Sequence, residues 1–455
     1  MFDLNFFRNG DNVEMKSMDY KMYHESLMVN NHGTTLIRTF LCIFFTVQCT
    51  MISSIVKWPS RRVQFVGEYF CIVLTMCLSL TILQDYIYIL NAGGIIFVSY
   101  MYRQIYKFDI TRPLLYPNEF EKKLYTITCM RGLTYLITVF CILAVDFQDF
   151  PRYLAKTEKY GYSLMDTGVG LFIVMSGLVH KEITKENLKS IVKSNAFIIS
   201  ILVVVGVTRY ISVKVLNYQE HVTEYGVHWN FFFTLAVTKF ISTVVLCCHD
   251  NALICSILTL ILHEMLLLSG LQDWVFSDAP RDTFLSANRE GIVSCLGYTA
   301  MFFFAVNLKR IIINKTVIRA YIFTEIVKWA IILWALSYIV NTVLPTSRTL
   351  ANIGYCSYIT AITCTVTGVL YFFEIIFRDT KMVYTFKVPY LIENINCNGL
   401  IYFLITNILT GLINMSIQTL TVSSFGTFLI LNIYMIASLK LLLFYNRVPL
   451  YKLIH

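Results

Sequence analysis

Residues 141–170 read CILAVDFQDFPRYLAKTEKYGYSLMDTGVG. An apolar run closes at Val145 and an acid follows at Asp146. The pair Phe150-Pro151 ends any helix, because proline lacks an amide proton and disfavours the helical conformation in the residue before it. Arg152, Lys156 and Glu158 crowd the connection. A second apolar run opens at Gly161 and carries Asp166 inside its first turns. Two apolar runs joined by a short, charged link fit helices that cross a bilayer and turn at its surface. A charge at or near hydrocarbon depth is costly, so a link this rich in ionisable groups marks a functional place.

Working outward, the same pattern covers the chain. Apolar runs of helix-spanning length lie near 36–56, 65–83, 84–102, 127–145, 161–180, 194–213, 228–247, 251–271, 290–308, 320–340, 352–377, 398–420 and 424–444. The weakest division is at Gln84-Asp85, where 65–102 also reads as one broken element. The fold class expected is all-α: a polytopic integral membrane protein with about thirteen transmembrane helices and no soluble domain. Residues 1–35 read as a polar N-terminal segment with a short interfacial helix near 23–27, residues 36–445 as one multi-span domain, and residues 446–455 as a short tail. No internal repeat is visible, which weighs against a transporter built from repeats.

Composition agrees. The chain is 56% hydrophobic and 14% charged, with a mean hydropathy of +0.63, whereas soluble domains carry about 25% charged residues. The formal net charge of +9 resides in loops between apolar runs, where it sets membrane orientation and not nucleic-acid binding. Twenty Lys and Arg fall on one side of the thirteen runs and eleven on the other. The positive-inside rule predicts that the twenty are cytosolic, and that the N-terminus and the 146–160 link face the lumen. Most of the thirteen cysteines lie within apolar runs as small packing residues, and no pair has zinc-ligand spacing, so no metal site is expected. Residues 1–35 lack the basic start and apolar core of a cleaved signal peptide.

Two further polar stretches fall on the side of the 146–160 link: HVTEYGVHWNFFF at 221–233 and SANREGIVSCLGY at 286–298. Three such segments entering from one face can converge on one cavity.

Several blocks carry a resemblance. They are Val145-Asp146-Phe147, Phe150-Pro151-Arg152, Ala155-Lys156-Thr157-Glu158, Tyr160-Gly161, Ser163-Leu164-Met165-Asp166 and Gly168-Val169-Gly170. Glu224 to Phe232, Asn288-Arg289-Glu290-Gly291, and the late Asn398-Gly399-Leu400, Asn407, Leu409 to Leu412 and Asn414 extend the set. Together they resemble the PIG-W family, the inositol acyltransferases of glycosylphosphatidylinositol (GPI) anchor assembly. The resemblance implies a thirteen-span, multi-pass protein of the endoplasmic reticulum membrane. Its reaction moves a fatty acyl group, usually palmitoyl, from acyl-CoA to the 2-hydroxyl of inositol in glucosaminyl-phosphatidylinositol. Acyl-CoA is then a co-substrate, membrane lipid the surroundings, and no cofactor is bound. The family often has two basic residues after Phe-Pro; here Arg152 is followed by Tyr153.

Acyl transfer to an alcohol needs a base for the hydroxyl proton, a donor for the developing oxyanion, and exclusion of water. The resemblance assigns the catalytic pair to Asp146 and Lys156, with Asp146 as base and Lys156 holding the oxyanion or orienting the aspartate. The plain alternative is an interfacial salt bridge. Arg152, Glu158 and Asp166 are candidates for substrate binding in the same block. So are His228, Trp229 and Asn230, with an interfacial histidine beside a belt tryptophan as the alternative. Asn288, Arg289 and Glu290 are candidates for phosphate binding, or else a helix cap. His263-Glu264 reads as packing. Phe231 to Phe233 and Phe302 to Phe304 either line an acyl-chain tunnel or face lipid. A rival functional class is a lipid or solute transporter using Asp85, Asp166, Glu264 and Glu325 as relays; another is a non-catalytic subunit.

Overall fold

A computed structural model describes residues 30–105, 114–117, 124–215, 222–379 and 386–447. The expected interfacial helix at 23–27, and most of the segment 1–35 and of the tail 446–455, lie outside these residues. So do Lys107, Arg112, Lys122, Lys123 and Lys381 of the charge count.

Each apolar run is helical. In chain order the helices are α1 (Leu36–Ile55), α2 (Arg61–Leu80), α3 (Ile87–Ile105), α4 (Tyr125–Ala144), α5 (Leu164–Leu178), α6 (Leu188–Val215), α7 (Phe231–Cys248), α8 (Ala252–Val275), α9 (Arg289–Ile312), α10 (Arg319–Asn341), α11 (Ile353–Asp379), α12 (Gly399–Ser416) and α13 (Ser424–Arg447). Among the described residues eleven helices are long and apolar enough to cross a membrane. The two expected spans outside that set are α3 and the fifteen-residue α5, which is shorter than the roughly 20 residues a bilayer core requires. The weak division at Gln84-Asp85 is a turn of 3₁₀-helix, Gln84–Tyr86, so 65–102 is two elements.

Polar residues start the helices. Thr35 caps α1 by accepting from the Arg38 amide, Ser163 caps α5, Asn230 caps α7 and Asn251 caps α8, each satisfying a first-turn amide that the helix leaves open. A π-helical turn, Tyr69–Leu74, interrupts α2, and Gly270 breaks α8 at a positive φ.

Burial sorts the helices into layers. The apolar stretches of α9 and α11 are 83% buried and that of α4 is 72% buried, whereas that of α6 is only 11% buried. The first three form the centre and α6 lies on the rim. Helix α5 packs on α9 and against α4, while α6 packs on α7. Two buried carboxylates are matched by distant segments: Glu374 accepts from the Thr126 amide and hydroxyl, and Glu68 accepts from the amides of Tyr390 and Leu391.

The connections gather at two ends. At one, Gly161 N donates to Thr346 O at 2.9 Å, Val227 N donates to Ala287 O at 2.9 Å, and Thr34 N donates to Tyr162 O at 2.6 Å. At the other, Arg310 meets Glu182 at 2.8 Å and Lys387 N donates to Ser54 O at 3.1 Å. These are the two groups of loops that the charge count separated.

Candidate active site

The end carrying residues 146–162 opens into one cavity of about 1,220 Å³. Helices α1, α4, α5, α6, α7, α11 and α12 supply its walls, and α10 does not reach it. Its inner part is apolar and aromatic: the Phe172 ring lies tilted 5.4 Å from Phe231 and edge-to-face 5.6 Å from Phe403, centroid to centroid, and Leu404 and Met415 continue the wall. Of the two phenylalanine runs, Phe231 and Phe232 face the cavity, while Phe302 to Phe304 are buried in the core away from it.

The polar end is built from the α4–α5 link. Helix α4 stops at Ala144, and its terminal carbonyls need donors. The amides of Val145, Asp146 and Phe147 supply them at Cys141 O, Leu143 O and Ala144 O, and Arg152 donates to the next carbonyls, Val145 O at 2.5 Å and Phe147 O at 3.1 Å. The guanidinium thereby folds the link back on the helix end and fixes the backbone on both sides of Asp146. Asp146 is buried and lines the cavity, and its carboxylate accepts from Asn414 Nδ2 of α12 at 2.7 Å.

Lys156 lines the same cavity. Its ammonium lies 2.8 Å from Glu224 Oε2. Glu224 also stands 3.7 Å from Arg348, and Arg348 lies 2.9 Å from Asp166. Asp166 in turn accepts from the Thr157 amide at 3.2 Å and hydroxyl at 2.7 Å. The sequence Lys156, Glu224, Arg348, Asp166, Thr157 is therefore a closed circuit that returns to the link beside Lys156. Burial pushes the Glu224 carboxyl up, but the charges of Lys156 and Arg348 outweigh it and hold the group at about 2. Burial pushes the Arg348 guanidinium down, and Glu224 and Asp166 more than reverse this, so it stays charged.

The link is held from outside as well. Asn31 Nδ2 donates to the carbonyls of Arg152, Ala155 and Lys156 at 3.0, 3.1 and 2.9 Å, and Asn30 N donates to Glu158 Oε2 at 2.7 Å. Gly161 closes the link at φ +132°, where a Cβ would stand 2.1 Å from His32 O, so no other residue fits there without moving the chain. Gly226 does the same for the Glu224 segment: at φ +114° a Cβ would lie 2.5 Å from Asn288 Cα.

The expected site residues therefore divide. Asp146, Lys156, Glu158, Trp229 and Asn230 line the cavity. Arg152 and Asp166 stand behind it and shape it. Trp229 donates its indole N–H to Thr234 at 2.9 Å, and Asn230 donates to Gly206 O at 2.9 Å, tying α7 to α6. His228 is exposed and outside the cavity wall, its ring between Tyr210 and Phe284 at 5.6 and 6.4 Å. Asn288, Arg289 and Glu290 are buried and do not reach the cavity. Asn288 accepts from the His228 amide at 2.8 Å; Arg289 donates to Ser277 O and Ala279 O; Glu290 holds Arg281 at 2.5 Å. Two of the three polar stretches thus converge on the cavity, and the third supports the second from behind. His263 is buried and hydrogen-bonded to Leu350 O at 2.9 Å, as a packing residue is.

The relay carboxylates of the transporter reading have no common partner. Asp85 meets Arg38, Glu325 meets Lys328 on its own helix, and Glu264 accepts from the Ile353 amide. Only Asp166 is linked to the cavity. Arg348 stands in no motif that the sequence offers, and Asn414 is in the resembling blocks without a role. Glu224 was visible in the resembling block but without a role.

A family model described as GWT1 matches residues 20–445. The chain is 36% identical to the GPI-anchored wall transfer protein 1 of Schizosaccharomyces pombe, over 70% of this chain and 71% of that one. It is 30% identical to the protein of the same name from Yarrowia lipolytica, over 91% of this chain and 96% of that one. It is also 30% identical to the human glucosaminyl-phosphatidylinositol-acyltransferase PIGW, over 92% of this chain and 97% of that one.

Proposed function

This chain belongs to the GWT1 family, and from that membership and the cavity we propose that it is a membrane-embedded O-acyltransferase of GPI-anchor assembly. The acceptor is the inositol 2-hydroxyl of glucosaminyl-phosphatidylinositol, the donor is a long-chain acyl-CoA such as palmitoyl-CoA, and the compartment is the endoplasmic reticulum.

Asp146 accepts the hydroxyl proton as the inositol oxygen attacks the thioester carbonyl. A carboxylate serves as base only if it is ionised and held still, and the Asn414 amide, at 2.7 Å, provides the second of these. The carbon–oxygen bond forms as the carbon–sulfur bond breaks, and the proton goes on to the departing thiolate. Lys156 keeps one N–H on Glu224 and turns its remaining donors to the oxyanion. The circuit through Arg348 and Asp166 holds Glu224 in place, and Glu224 in turn fixes the Lys156 ammonium at the cavity wall. The apolar wall of Phe172, Phe231 and Phe403 receives the acyl chain and excludes water that would hydrolyse the thioester.

One observation carries the reading: Asp146 and Lys156, ten residues apart across Pro151, face one large cavity that is polar at one end and apolar beyond it. Cells lacking the protein should accumulate glucosaminyl-phosphatidylinositol without the inositol acyl group. Normal acylation in such cells, with no second acyltransferase present, rejects the reading.

A further inference from the structure

Three cations line the cavity among the described residues: Lys156, Arg348 and Arg209. Two are held by carboxylates. Lys156 lies 2.8 Å from Glu224 and Arg348 lies 2.9 Å from Asp166. Arg209 is different. It sits on α6, exposed, and among the described residues it has no hydrogen bond and no ion pair within 4 Å. It feels the charge of Glu224, but the two oxygens of that carboxylate already face Lys156 and Arg348.

Its place on the helix is directed. Val205, Thr208, Arg209 and Ser212 all line the cavity, and they recur at the spacing of one helix face. Helix α6 is the least buried of the spans, so this face forms the wall of the cavity that borders lipid. An always-charged guanidinium in an apolar helix is costly unless it finds an anion. Its planar fork matches two oxygens of a phosphate.

We propose that Arg209 binds the phosphodiester of the acceptor lipid as that lipid enters the cavity past α6. This deepens the acyl-acceptor reading above and rests on it. In an inositol phospholipid the 2-hydroxyl is on the ring carbon next to the one that carries the phosphodiester. A cation that fixes the phosphate therefore also sets the direction of the hydroxyl. Lys156 is already placed between Glu224 and the oxyanion, and Arg348 is shared between Asp166 and Glu224. Arg289, the sequence candidate for phosphate, is buried with its donors on Ser277 O and Ala279 O.

The test is calorimetric titration of the full-length protein in detergent micelles, with no acyl donor present. The probes are a short-chain glucosaminyl-phosphatidylinositol and its neutral methylphosphonate analogue. The parent protein should bind the charged diester about ten- to a hundred-fold more tightly than the neutral analogue, the range for a hydrogen bond to a charged group. Arg209→Gln should bind both equally, at the weaker value. Arg209→Lys should fall between them, because it keeps the charge and loses the fork. Lys193→Gln, far along the same helix, should behave as the parent does. An Arg209→Gln protein that discriminates as well as the parent overturns the inference, and so does a parent indifferent to the phosphate charge. Because no donor is present, a protein with Arg209-dependent binding but no acyl transfer fails the functional reading alone. One that transfers normally while Arg209→Gln still discriminates fails only this inference.

Discussion

In the link between α4 and α5, Asp146 meets Asn414, Lys156 meets Glu224, and all four of these residues but Asn414 line the cavity. In the stretch before α9, Arg289 donates to two backbone carbonyls, Glu290 holds Arg281, and neither reaches the cavity. The two clusters stand at the same end of the molecule and have similar composition. What separates them is the identity of their partners. Arg289 and Glu290 are tied to the segment just before them, 277–287, and so build local structure. Asp146 and Lys156 take partners from distant helices and keep their side chains on open space. A charged cluster is a site when its members are positioned from elsewhere and still have room in front of them.

This contrast breaks most sharply at Asp146. Asp146→Asn keeps the shape and the contact with Asn414 but cannot take a proton. Transfer should fall roughly 10³–10⁴-fold, the upper range for a general base, while the protein still accumulates in the membrane. Single-turnover acylation of a short-chain glucosaminyl-phosphatidylinositol measures it, and near-parent turnover would put the link in the same class as residues 288–290. Lys156→Met should cost about two to three orders of magnitude in the same assay, as loss of one oxyanion donor does. Lys156→Arg should rescue poorly, since a fork cannot replace a compact ammonium. If both variants turn over like the parent, Lys156 is an anchor only.

On the other side of the comparison, Glu290→Gln should leave turnover per folded molecule unchanged and lower stability by about 1–3 kcal/mol, less than for a fully buried pair because Arg281 is partly exposed. Thermal unfolding alongside turnover decides it; a loss of rate without a loss of stability would move Glu290 into the site. The smallest effect concerns pH. The ordinary Glu224 carboxyl titrates at 4.5, and in the folded protein it is held at about 2. A depressed carboxylate contributes stability that is fully present above 4.5 and is lost only as pH falls through 2. The Lys156–Glu224 pair therefore persists at about pH 5. Rate profiles of the parent and Glu224→Gln should run parallel from about pH 7 to pH 5, whatever their levels, and an acid limb present only in the parent would contradict the circuit.

Much of the fold is legible because a bilayer demands long apolar runs and a helix within each: α4, α9 and α11 fall where hydropathy places them. The division at Gln84-Asp85 was readable as a weak point, and the 3₁₀ turn there is its cause. The π-turn in α2 was not readable, since Tyr69 to Leu74 are apolar like their neighbours. In the site, Asp146 and Lys156 were conspicuous as charges beside a proline. Arg348 was not, as a lone arginine in a short loop is ordinary. Asn414 stands in a resembling block, but nothing in an asparagine within an apolar run points to a partner 268 residues away. Residues 288–290 were over-read because composition gives the presence of charge and not the direction in which it points.

The circuit also has a history in each molecule. Asp146 and Asp166 leave the ribosome long before their distant partners. Lys156 waits 68 residues for Glu224, Asp166 waits until Arg348 is made, and Asp146 waits 268 residues for Asn414. Throughout that interval the nascent chain carries carboxylates whose long-range partners have not yet been made. Synthesis of α4 and α5 thus precedes completion of the circuit, which waits for the last third of the protein. A chain truncated before α12 loses more than a wall: it also loses the contact that Asn414 makes with Asp146.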